Sequence, residues 1–179
     1  MELGRIQIPD TSNKLQYGKS LEMFKIHTRL PMKNDNALFY TCSLIEFIGR
    51  RQKQKRAYIV NTLGKSVVKR IYTHSDVLHC EVIDSVAEEF INMCSIKTGD
   101  FDNVAKCKYE VPDYWTIGEV YERLIEDVQP NENVDSIIET LFKVYNSWVS
   151  DSISRFNTDF YYQSRDYIKE CFLTNKQIA

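Results

Sequence analysis

From about residue 35 onward, apolar side chains recur at intervals of three and four, a period that only an α-helix gathers onto one face. Leu38, Thr41, Leu44, Ile45 and Ile48, with Cys42 alongside, define a first helix that Asp35 or Asn36 can cap and that runs to about Arg51. A second covers about Lys55 to Leu63 and stops at Gly64, and a third, Ser66 to Thr73, carries Val67, Val68 and Ile71. Val82, Ile83, Val86, Phe90, Ile91 and Cys94 form the sharpest stripe. Thr116 and Glu119 fit a capping box that opens a helix through about Asp127. Asp135 is expected to cap one longer helix reaching Phe156, and a last helix covers about Ser164 to Leu173.

Only six glycines and four prolines occur in 179 residues, which excludes collagen-like and turn-dense β architectures. A hydrophobic fraction of 43% is enough for a packed core. The expected fold is therefore all-α: a compact single-domain helical bundle of about six to seven helices over residues 36–179, behind an irregular N-terminal arm over residues 1–35. There is no apolar run of the length that spans a bilayer, so no membrane association is expected. The opening residues MELGRIQIPDTSNK lack the apolar stretch of a secretion signal, which points to a cytoplasmic protein. Five scattered cysteines without a C-x-x-C pair agree, since a disulfide framework favours an even, clustered set.

Charge is strongly segregated. No acidic residue lies between Glu46 and Asp76, whereas eight bases do: Arg50, Arg51, Lys53, Lys55, Arg56, Lys65, Lys69 and Arg70. Residues 71–179 hold nine bases against twenty acids, so a formal charge of −2 averages a basic stretch and an acidic remainder. Such a stretch can steer toward an acidic protein surface or toward phosphates. Its two short helices around Gly64 also outline a helix–turn–helix over residues 55–73, with Lys65, Lys69 and Arg70 on the reading helix. That helix offers no Asn or Gln to read adenine. Gly64-Lys65-Ser66 resembles the end of a phosphate-binding loop, but Ile59 stands where the loop needs its first glycine.

The segment THSDVLHC places His74, Asp76, His79 and Cys80 close together. These are zinc-competent types, yet spacings of two, three and one do not put all four on one side of a helix, and the expectation is a helix junction without a metal or cofactor. Imidazole titrates near neutral pH, so His74, Asp76 and His79 are also the candidates for a hydrolase or nuclease. Helical ribonucleases of the higher-eukaryote-and-prokaryote nucleotide-binding type use an Arg followed shortly by a His, and Arg70 to His74 is shorter than their usual spacing. Asp100 to Asn103 reads as turn chemistry, and Phe160-Tyr161-Tyr162 as an aromatic run between helices that can anchor a partner.

Residues 39–91 resemble a small uncharacterised helical family of bacteria. The resemblance rests on a Cys-x-x-Ile-Glu element, Cys42 to Glu46, and on the Leu78-His79 pair. It implies a protein encoded near ADP-ribosyltransferase-like proteins, as in toxin–antitoxin-like loci. The sequence thus leads to a non-catalytic protein-binding module that meets an acidic partner through Arg50–Arg70. A nucleic-acid-binding regulator and a His-dependent hydrolase are the alternatives.

Overall fold

The computed structural model describes residues 35–129 and 133–178, and among them every regular element is helical. The expected N-terminal arm lies outside the described residues except for Asp35. The helices are α1 (Asn36–Arg51), α2 (Arg56–Thr73), α3 (Ser75–Leu78), α4 (Ile83–Met93), α5 (Tyr114–Val128), α6 (Val134–Tyr145), α7 (Trp148–Ile153) and α8 (Arg165–Thr174), with a 3-10 turn at Phe160–Tyr162. The all-α reading holds with eight α-helices among the described residues: α2 joins two of the expected helices, α3 is additional, and the expected 135–156 helix is divided into α6 and α7.

Helix α1 forms the centre. Leu38, Cys42, Leu44, Ile45 and Ile48 on it are fully buried, and α5 and α2 pack along it. Close approach of α1 and α5 is possible because Gly118 has no side chain: a Cβ there would stand 2.1 Å from Ser43 Oγ and 2.9 Å from Ser43 Cα. Tyr121 of α5 and Tyr145 of α6 stack with centroids 4.2 Å apart, and the Tyr121 hydroxyl bonds Ser150 on α7. Such offset aromatic pairs add to the burial of their large apolar area.

Caps decide where the helices begin. Asp35 accepts from the amides of Ala37 and Leu38, as the sequence suggested. In α5 the cap is Asp113, which accepts from the Thr116 amide at 2.6 Å, so the helix starts two residues before the expected Thr116 box. In α6 the cap is Asn133, bonded to the Asp135 amide, and not Asp135 itself.

The long helix expected from Asp135 to Phe156 is broken after Tyr145. Asn146 Nδ2 donates to the Phe142 carbonyl and Ser147 Oγ to the Val144 carbonyl, while Ser147 is extended. Short polar side chains bonding nearby carbonyls offer the backbone an alternative to the next helical turn. Within α2 the break at Gly64 is real, with φ +74° and ψ 160°, but the helix resumes at once.

Residues 95–113 contain no regular element but are firmly tied. Gly99 and Phe101 amides donate to the Gln52 and Lys53 carbonyls, Asn103 Nδ2 donates to Ser154, and the Lys108 amide to Asn157. Asp102 accepts from the Ala105 amide, which is the expected turn chemistry.

Candidate interaction surface

The eight bases of residues 50–70 divide by depth. At the α1–α2 corner, Glu46 and Arg56 are both fully buried and meet through two bonds, Arg56 Nε to Oε2 at 2.6 Å and Nη2 to Oε1 at 2.7 Å. Arg50 Nε adds a third at 2.7 Å, and Arg50 Nη1 donates to the Pro112 carbonyl. The Gln54 carbonyl and Asn103 complete the shell of Arg56, whose guanidinium also lies over the Phe101 ring. Burial by itself would raise the Glu46 carboxyl, but the Arg56 and Arg50 cations outweigh it and hold the group below its ordinary value. Arg56 therefore belongs to the core, and the partly exposed Arg50 lies at its edge.

The remaining bases lie outward, and all but one meet a carboxylate of the acidic C-terminal part. Arg51 pairs with Asp84 and Glu88 on α4, and Lys53 with Asp102. Along the outer edge of α2 runs a ladder: Lys55 to Asp151, Asn61 to Asn146, Lys65 to Glu139 and Lys69 to Asp135. Arg70 is exposed and makes no side-chain bond among the described residues. The basic stretch and the acidic remainder are thus two sides of seams that dock α2 on α6 and α7, and α1 on α4. The ladder pairs remain wet, with Lys65 and Glu139 54% and 52% exposed. Exposed pairs of this kind contribute at most about 1 kcal/mol each.

The histidine segment is a junction. His74 Nδ1 bonds the Arg70 carbonyl and His79 Nδ1 the Ser75 carbonyl, each one helical turn back. Asp76 accepts from the adjacent Val77 amide, and Cys80 Sγ stands 4.0 Å from His79 Nε2. No three His, Cys, Asp or Glu side chains converge as a metal set among the described residues. The cysteines are free thiols, Cys42 and Cys171 buried and Cys80 exposed.

Two features escaped the sequence reading. At the opposite end of α5, a polar chain joins four helices: Tyr72 donates to Asp35 at 2.6 Å, the Asp35 amide to Glu126, and Arg165 to Glu126 and Asp127. Beside it, a cleft of about 210 Å³ opens between α5, the 3-10 turn and α8, floored by Val120, Leu124 and Ile168 and walled by Arg123 and Tyr162. Of the aromatic run, Phe160 and Tyr161 are buried and Tyr162 is exposed. Among the described residues, no helix is long and apolar enough to cross a membrane. No family model, curated protein or solved structure matches this chain.

Proposed function

We propose that this chain is a non-catalytic, cytoplasmic protein-binding module, the antitoxin-like or regulatory partner of a bacterial toxin-type enzyme, and that it docks through the outer face of α2 and α6. The observation that supports this reading is the ladder itself. It is a row of half-exposed lysines, each beside an exposed carboxylate, with Arg70, which has no side-chain partner among the described residues, at one end and exposed Tyr58 on the same helix. Because each wet pair is weak, partner carboxylates can take over the lysines without unfolding the helix. A protein surface can also offer donors to Asp135, Glu139 and Asp151. A polyphosphate cannot, and those carboxylates repel it, which favours protein over nucleic acid. Tyr and Arg are the residue types that most often anchor such contacts.

The test is a photo-crosslinking residue at exposed Ser66, installed in the chain inside its source cells. The expected result is a discrete protein adduct that is lost in a Lys65→Ala/Lys69→Ala/Arg70→Ala variant. Adducts with nucleic acid alone, or no adduct above a control placed at Glu89, would overturn the proposal.

A further inference from the structure

Glu122 is the one buried carboxyl of α5 to which the structure gives neither an ion pair nor a hydrogen bond among the described residues. It is 3% exposed and sits in the turn between Gly118, which touches α1, and Glu126, whose side chain is 5% exposed. The charged groups around it are mixed in sign. From α5 it faces Glu126, Arg123 and Glu119; from α8 it faces Arg165. On the α1 side are the Cys42 thiol, itself held protonated by burial, and the Asp35 cap. From α6, Tyr145 lies beside that thiol, and from α2, Tyr72 is bonded to Asp35.

The two arginines do not neutralise it. Arg165 is already spent on Asp127 at 2.5 Å and Glu126 at 3.2 Å, and Arg123 pairs with Glu119. A charged carboxylate in such a place is largely withdrawn from water and has no paired counter-ion among the described residues, and that state is disfavoured against the neutral acid. A metal does not meet the need, because no third donor converges with it among the described residues.

We infer that the Glu122 carboxyl is a proton-binding site built into the packing of α5 against α1 and α8, which holds its proton more tightly while these helices are closed than when the seam opens to water. Burial first, and then Glu126, move its titration from 4.5 up to about 7. Proton release therefore falls near neutral pH and is coupled to the seam that also carries the Tyr72–Asp35–Glu126–Arg165 chain. Closed helices bind the proton more tightly than open ones, so rising pH shifts the population toward the open seam.

The sign follows directly. The folded value lies above the unfolded one, so the contribution of Glu122 to stability is complete below pH 4.5. It is lost as pH rises toward 7 and changes no further above that. Across this window the folding equilibrium weakens by up to roughly 300-fold from this one group.

The experiment is a carboxyl carbon-13 NMR titration of the full chain, together with urea denaturation from pH 4 to 8 on wild type and Glu122→Gln. Glutamine has the shape of the neutral acid and no proton to lose. One glutamate titrating near neutral pH, assigned by its absence in Glu122→Gln, and a variant whose stability stays flatter than wild type over the window, are the expected results. Every glutamate titrating in the ordinary carboxylate range, or the same slope in variant and wild type, would overturn the inference. Should the variant fail to fold, the wild-type titration alone decides.

Discussion

Replacing Glu46 with Gln tests whether the α1–α2 corner depends on charge or only on shape. Glu46 accepts three charge-assisted bonds at 2.6 to 2.7 Å, two from Arg56 and one from Arg50. Glutamine keeps the volume and one acceptor, but turns an NH2 donor toward a guanidinium that has only donors. Arg56, fully buried, is then left with neutral acceptors, the amide oxygen, the Gln54 carbonyl and Asn103, and with no countercharge. It cannot swing out to water, because Gly49 closes over its Cδ and Nε so tightly that a Cβ there would sit 2.6 Å away.

Breaking a buried pair by removing one partner costs about 3–5 kcal/mol. For a domain of this size that lowers the melting temperature on the order of 10 °C. Urea denaturation of the full chain at pH 7 measures the loss. A pH series adds a second, independent check. The folded Glu46 titrates below its unfolded value, so its contribution is present above about pH 4.5 and disappears as pH falls through the folded value. The gap between wild type and Glu46→Gln should accordingly narrow in acid. A loss under about 1 kcal/mol at pH 7, or a gap that does not narrow, would refute the argument. Removing both partners with Glu46→Met/Arg56→Met should cost less than the sum of the two single changes, since no orphaned charge remains.

Three further outcomes follow from other parts of the structure. Gly64→Ala should destabilise by about 1–3 kcal/mol although a Cβ there meets nothing within 4 Å, because φ +74° with ψ 160° is open almost only to glycine; an unchanged denaturation midpoint would contradict this. Gly118→Ala should cost a similar amount, about 1–3 kcal/mol, for the opposite reason, a steric clash with the Ser43 backbone, and Ser43→Ala should not rescue it because Ser43 Cα remains. In a double-mutant cycle on Lys69 and Asp135 the coupling should stay below about 1 kcal/mol and shrink in high salt, and a larger, salt-insensitive value would mean that the ladder is a structural element rather than a docking face.

The helical periodicity located α1, both halves of α2, α4, α5 and α8 because burial of one face is written locally, in spacings of three and four. The same signal misled after Tyr145. Trp148, Val149, Ile153 and Phe156 continue the apolar pattern, and nothing in that pattern records that Asn146 and Ser147 bond back to the carbonyls of α6. The charge segregation was plain in the sequence, but its use was not. Partners such as Arg51 with Asp84, or Lys55 with Asp151, lie 33 and 96 positions apart, and local spacing carries no information about such pairs. Arg56 was grouped with its exposed neighbours, although it alone of the eight is sealed against a carboxylate on the preceding helix.

Glu122 was within reach of the sequence. The capping box at Thr116 and Glu119 marks a helix start but carries no account of Gly118 between them. A glycine inside a helix usually has a packing reason. If Gly118 marks the line of closest approach, then Glu122, one turn later, must lie on the buried side, as must Ile125 and much of the Glu126 side chain. The seam against α1 is where a carboxylate is least expected, and its neighbours are unequal. Glu46, on the facing helix, has two arginines to itself, whereas Glu122 has only arginines already engaged by Glu119, Glu126 and Asp127. One interior carboxyl is therefore held ionised by its cations, and burial shifts the other toward its neutral form. The bundle is tightened by ionisation at one end of α5 and by protonation farther along it, so acidification should loosen the Arg56 corner while alkalinisation loosens the α5–α8 seam.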